Sequence, residues 1–213
     1  KFRNQRVFRD FQFVFDYVDT SAITGKSYLP IFITESFSDY YFNKNPKTER
    51  EYITATKISG VENVSLSQFT GKMYQKINIY ENFQRVFEPG FVSPIADFGL
   101  VYYKYYLIDS AFIGNKWCYQ ISFIPKRKQE RTFRGDFWVN DTTFAIVKIQ
   151  MRMAKDVNIN YINDFVAEYE YAPVDDSLWI LKNEKLFFDF NLKDKTLGFF
   201  VKKTKNLKSK LVH

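Results

Sequence analysis

The sequence predicts a mainly β (α+β) domain: a curved antiparallel sheet forming an open half-barrel, with one main helix (about 64-87) packed in or over its concave face. Three observations lead there. Aromatic residues make up 20% of the 213, with 24 Phe and 15 Tyr, and such side chains favour a pleated, half-buried surface. Period-two alternation of apolar and polar residues recurs in run after run. The runs are joined by short turn-forming pairs, which make neighbouring strands antiparallel.

Taken in order, "FQFVFDYVDT" carries Phe11, Phe13, Phe15 and Tyr17 on one side, with Gln12 and Asp16 on the other. That is a strand pattern. After the loop "TGKSYLP", the runs "IFITESFSDYYFN" and "EYITATKIS" flank "KNPKTER" and read as a long hairpin. The helix is expected in "NVSLSQFTGKMYQKINIYENFQRVF". Ser65 and Gln68 have capping-box spacing, and Val64 and Phe69 would close a hydrophobic staple. Leu66, Phe69, Met73, Ile77 and Tyr80 form the apolar stripe, and Pro89-Gly90 ends it. From residue 100 the period returns to two, in "LVYYKYYLID", "KWCYQISFIP", "FRGDFWVN", "AIVKIQMRM", "DFVAEYEYA", "LWILKNEKLFFDFNL" and "LGFFVKK". Asp109-Ser110, Gly114-Asn115, Asn140-Asp141 and Asp175-Asp176 supply the turn chemistry.

Each strand thus has one apolar and one polar face, so the sheet is expected to meet water on one side only. Residues 1-213 read as a single domain, with 202-213 as a basic, frayed tail. Some twenty inward residues exceed what one helix stripe can cover. The rest must be shielded by loops 18-30 and 88-99, by the side chains themselves, by another domain or by a ligand.

Several function classes lose their chemistry at this level. The single cysteine, Cys118, excludes an internal disulfide and a cysteine-built zinc site, and reads as an inert thiol. The only histidine is His213, so histidine triads and metal clusters have no partner. No metal site, cofactor or phosphate loop is expected. No run approaches the roughly 18 apolar residues of a spanning helix. The start lacks a charged and then apolar leader, so the chain reads as an excised piece of a longer protein or one with its signal removed. Net charge is +7. Its excess sits in "FFVKKTKNLKSKLVH" and "PKRKQER", which suit anionic headgroups or, more simply, a solvated loop and a chain end. The tyrosines of "YYKYY" could mimic a base-stacking sheet, but the main Lys cluster lies elsewhere, and no nucleic acid is expected.

The remaining constellations give the candidate sites. Trp117, Phe123, Phe137, Ile149, Met151 and Phe188 are the inward residues that would line an apolar cavity, the alternative being plain core. Glu168 and Glu170 share one strand face, as a hydrolase pair would, yet no second shell accompanies them. "DSA", "DTT" and "DSL" place Ser110, Thr142 and Ser177 at expected turns, in triplets that resemble an O-glycosylation signal of periplasmic and surface proteins.

The long strings "TGKSYLPIFITESFSDYYFNKNPKTEREYITATKISGVEN", "FVSPIADFGLVYYKYYLIDS", "NKWCYQISFIPKRKQERTFRGDFWVNDTTFAIVKIQMRMAKDVNINYINDF" and "VDDSLWILKNEKLFFDFNL" resemble the middle region of an uncharacterised outer-membrane protein family of Gram-negative bacteria. In that family a carboxypeptidase-regulatory-like domain comes first and a membrane β-barrel last. The resemblance implies a place on the periplasmic side of the outer membrane. It implies partners among the flanking domains or other envelope proteins, and no carboxypeptidase activity. The ribbon around "FRGDFWVNDTTFAIVKIQM" resembles in shape the half-barrels of lipoprotein-localisation (LolA/LolB-like) carriers, which shelter an acyl chain. The first expectation is therefore a non-enzymatic interaction or positioning module. A lipid- or acyl-chain-binding carrier or sensor is second, and a hydrolase third.

Overall fold

The computed structural model describes residues 30–43, 48–60, 78–84, 90–157, 159, 162–174, 178–192 and 195–209. They form a mainly β structure. The strands are β1 (Pro30–Asn43), β2 (Thr48–Gly60), β3 (Phe83–Gln84) and β4 (Phe91–Val92), followed by the short helix α1 (Gly99–Tyr102). Then come β5 (Tyr103–Ile113), β6 (Lys116–Pro125), β7 (Phe133–Asn140), β8 (Ile146–Met153), β9 (Ile162–Pro173), β10 (Trp179–Leu192) and β11 (Lys195–Ser209). Nine of these make one sheet in the order β2-β1-β11-β10-β9-β8-β7-β6-β5, and β3 pairs with β4 beside it. The sheet is open: among the described residues β2 and β5 are its edges.

Two rows of directly opposed residues cross all nine strands and define one face, here face A. One runs Ile58, Thr34, Val201, Leu186, Ala167, Met151, Gly135, Phe123, Tyr105. The other runs Thr56, Ser36, Lys203, Glu184, Tyr169, Ile149, Phe137, Ile121, Leu107. Because side chains alternate along a strand, these residues share a side. From β10 to β6 they are mostly buried and form the core with Phe133, Phe165 and Phe188. Toward β1 and β2 the same rows turn polar.

Among the described residues, the cover on the core comes from 79–84 and 90–102. Phe91 stacks on Phe133 with ring centroids 4.8 Å apart, and Ile79, Val92 and Ala96 are buried with it. Two tyrosines hold this cover down: Tyr103 donates to the carbonyl of Val92 at 2.5 Å, and Tyr105 to that of Pro94 at 2.7 Å. Gly135 lies where β7 crosses closest over β8. Its φ is +155°, and a Cβ there would lie 2.0 Å from the Gln150 carbonyl oxygen, so only glycine fits.

Four expectations change. First, no helix runs through 78–84. Asn78 and Gln84 close a turn there instead: Gln84 Nε2 donates to the carbonyls of Asn78 (2.6 Å) and Glu81 (2.8 Å), and Tyr80 N–H to Asn78 Oδ1 at 3.2 Å. Ile79 is the buried residue and Tyr80 is exposed, so the stripe ends off register. Residues 61–77 and 85–89, the rest of the expected helix, lie outside the described residues, as does the first expected strand. The cover is thus an irregular loop with a two-stranded ribbon, and α1 is the only helix among the described residues.

Second, the sheet is mixed: β1 and β11 run parallel. Third, residues 202–209 are no frayed tail. They belong to β11, which lies between β1 and β10; its lysines meet carboxylates of β1, β10 and β2, Lys202 with Glu35, Lys203 with Glu184 and Lys205 with Glu51. Fourth, Asp109-Ser110 is not a turn but follows a bulge within β5.

Candidate functional site

The polar side of the sheet, face B, carries a row of Lys57, Glu35, Lys202, Lys185, Glu168, Gln150, Asp136, Ser122 and Tyr106. Glu168 is buried at the centre of the sheet. Lys185 Nζ sits 2.7 Å from Oε1 and Lys148 Nζ 3.1 Å from Oε2, and Gln150 donates to the same carboxylate. Burial pushes this carboxyl up, but the hydrogen bonds from Lys185 and Gln150 and the charges of Lys148 and Lys185 outweigh it and hold the group below the usual carboxylate range. Glu170 takes Lys148 at 3.5 Å and the amide of Asn183 at 2.7 Å. Both carboxylates of the hydrolase-like pair are thus engaged by cross-strand partners.

Face B does not meet water everywhere. Asp164, Val166, Phe187, Asp189 and Ile33 are buried as well, unlike the one-sided sheet the alternation predicts. Beside Glu168 a depression of about 350 Å³ is lined by Ser122, Arg134, Asp136, Gln150 and Arg152. Arg134 and Arg152 are directly opposed. Arg152 pairs with Asp164, whereas Arg134 Nε is buried without a hydrogen-bond partner.

A larger groove, of about 780 Å³, opens at the end of the sheet between two hairpin turns and the ends of β9 and β10. Consecutive antiparallel strands bring alternate ends together, so the β5–β6 and β7–β8 turns and the adjoining ends of β9 and β10 converge there. Phe112, Lys116 and Trp117 come from the first, Asn140–Thr143 from the second, and Pro173, Val174 and Trp179 from the third. Phe112 and Trp117 meet edge to face at 4.8 Å, and the Lys116 ammonium lies 5.3 Å from the centre of the Trp179 ring. Asn140 ties two of the tips: its Nδ2 donates to the Trp117 carbonyl at 3.1 Å, and its Oδ1 accepts from Thr143 N–H and Oγ1 at 3.0 and 2.8 Å.

Of the six residues expected to line an apolar cavity, only Trp117 borders this groove. Phe123, Phe137, Ile149, Met151 and Phe188 are buried in the core, where Phe123 stacks on Phe137 at 5.9 Å and Phe188 packs on Phe165 at 5.0 Å. Thr142 is exposed at the β7–β8 tip and donates to Asp141 at 2.9 Å. Ser110 is half-buried within β5, and Ser177 lies outside the described residues. Cys118 is buried, and burial raises its thiol pKa. Tyr103 and Tyr105 of "YYKYY" are taken up by the core and its cover. Trp179, Phe112 and Lys116 were not singled out from the sequence. Their signal was positional: each lies within four residues of a turn pair, and the three turns belong to the same end.

These features define a β-sheet protein with a packed core, cross-strand ion pairs on its polar face, and an open aromatic groove at one end. The chain belongs to a family of unknown function (DUF5686), which it matches over residues 15–207. No curated protein matches it, and no solved structure does.

Proposed function

We propose that this chain is a non-enzymatic interaction or positioning module of an outer-membrane-associated protein, acting on the periplasmic side through the open edge of β5. The edge strand carries the reading. An unpaired strand edge is a template for another strand, and proteins ordinarily guard it with charge. β2, the opposite edge, is guarded in this way by Glu49, Arg50, Glu51 and Lys57. β5 carries only Lys104 and Asp109, and Tyr106, Leu107 and Ile108 are exposed in succession, with Leu107 67% accessible. Leu100 and Val101 of α1 extend this apolar surface. An extended segment of a flanking domain or of another envelope protein could add here as a tenth strand, taking its affinity from main-chain hydrogen bonds and its specificity from the apolar side chains.

The resemblance to the middle of an outer-membrane protein supports this setting, as does the engagement of Glu168 and Glu170 in ion pairs. The half-barrel form, with face A as the concave side, belongs to the same reading. Carriage of an acyl chain has less support, because five of the six residues expected to line its cavity pack against one another.

A photoreactive residue placed at Ile108, compared with one at Ile53 on the β2 edge, tests this in cells that make the protein. The expected result is a discrete adduct at Ile108, to an envelope protein or a flanking part of the same polypeptide, and none at Ile53. No adduct at Ile108, or the same adducts at both edges, refutes the edge as the docking element.

A further inference from the structure

We propose that the groove at the hairpin-tip end is a saccharide-binding site, with Trp117, Trp179 and Phe112 as the stacking surface and the polar residues of the tips as the rim. It is independent of the β5-edge reading.

The chemistry of the lining selects the ligand. A pyranose ring offers an apolar face of C–H bonds and a rim of hydroxyls. Its partner must therefore supply flat apolar area flanked by hydrogen-bonding groups. Two of the three tryptophans of the chain line this groove. The third, Trp138, sits on face B beneath Lys148, 5.8 Å from it. Tryptophan gives large contact area for few rotatable bonds. Around the rings stand Asn115, Lys116, Asp141, Thr142 and Thr143. Such a mixture suits an acyl chain poorly, since the polar groups would be left unpaired against hydrocarbon. A saccharide brings hydroxyls that can pair with such groups.

The site is also built before any ligand arrives. Asn140 spends its amide on Trp117 and Thr143, fixing the β7–β8 tip against β6. Thr142 and Thr143 then stand at the groove on a tip held in place, which lowers the ordering cost of binding. Lys116 makes no ion pair among the described residues and is held over Trp179 only by the ring. It can follow a ligand hydroxyl or carboxylate. The adjoining Phe144 has φ +54° and is 74% exposed. A bulky residue held in the left-handed region is strain of the kind that collects at binding sites.

Native gels containing a neutral β-glucan, a galactomannan or polygalacturonate test the proposal, backed by tryptophan fluorescence titrations with oligosaccharides of each. The expected result is retardation in at least one gel and a saturable emission change with the matching oligosaccharide. Trp179→Ala should weaken binding about tenfold or more, as loss of one stacking ring implies. Phe112→Ala, at an exposed position that does not support the core, should weaken it as well. Trp138→Ala, on the opposite face, should bind as the parent does. Thermal melts establish that each variant is folded, and Phe112→Ala decides the matter if Trp179→Ala is not. No retardation in any gel, or equal retardation of the parent and both groove variants, overturns the assignment.

Discussion

Tyr103 and Tyr169 are both fully buried, yet their hydroxyls have opposite roles. The Tyr103 hydroxyl donates to Val92 and accepts from the Phe133 N–H at 3.0 Å, joining the cover to β7. The Tyr169 hydroxyl has no partner, and burial followed by the nearby Glu184 charge keeps it firmly protonated. Removing the first hydroxyl leaves a buried donor and acceptor unpaired, while removing the second relieves a desolvated group. Tyr103→Phe should therefore cost about 1–3 kcal/mol, whereas Tyr169→Phe should gain about 1 kcal/mol. Urea denaturation of the two variants checks the opposite signs. Glu168 gives a pH-dependent counterpart. Its folded pKa is held below the ordinary 4.5, so its ion pairs stabilise fully above that value and are lost as pH falls through the folded pKa. Glu168→Gln should lose about 1–3 kcal/mol near neutral pH, and the gap to the parent should close well below pH 4.5. A gap that persists in acid would mean that packing, not charge, holds the centre of face B.

Among the elements, the strands from β6 to β10 were legible because each carries its own alternation; β5 was legible only in part, since the run expected from residue 100 begins with α1 and Asp109-Ser110 falls within the strand. The pattern also set which side faces the core: Phe133, Phe137, Ile149 and Met151 are buried as a strand of one apolar face requires. It did not show that Asp164 and Glu168 would be buried on the other face, since charged side chains look solvent-facing until their cross-strand partners are known. The end of the expected helix misled for a local reason. Ile77 and Tyr80 fit a helical stripe, but Asn78 and Gln84 offer the backbone a competing set of side-chain hydrogen bonds, and the chain turns there. The ribbon β7–β8 depends on one position with no side chain. Gly135→Ala would drive a methyl group into the Gln150 carbonyl at a φ that L residues avoid, and the strands would have to part. The expected cost is about 3 kcal/mol or more, seen as a large fall in melting temperature, with Gly114→Ala, in an exposed turn where a Cβ meets nothing, costing far less despite its own positive φ.

For the molecule as a whole, the decisive contact joins the two ends of the described chain. β1 pairs with β11 from Pro30↔Gly198 to Phe42↔Ser209, and nothing local in either segment announces it. A lysine-rich stretch near the C-terminus reads as a tail because its acids lie on other strands: Glu35 and Glu51 more than 150 positions away, and Glu184 on β10. The aromatic groove was hidden for a related reason, since it exists only where the ends of three separate hairpins are brought together. Pairing over such separations closes large loops before it gains contacts, which slows folding. It also makes β11 central, because among the described residues β1 and β2 join the ladder of the sheet only through it. Thr204 stands in register with Asn183 on β10 and with Phe37 on β1. Proline there cannot donate to the ladder and belongs only at edges and bulges. Thr204→Pro should therefore remove about 3 kcal/mol or more and abolish or broaden the cooperative transition. Thr54→Pro, at the bulge of the β2 edge, should melt much as the parent does. Equal melting of the two variants, followed by circular dichroism, would show that 202–209 behave as an ordinary solvated end and that β1 and β2 are held to the sheet by something other than β11.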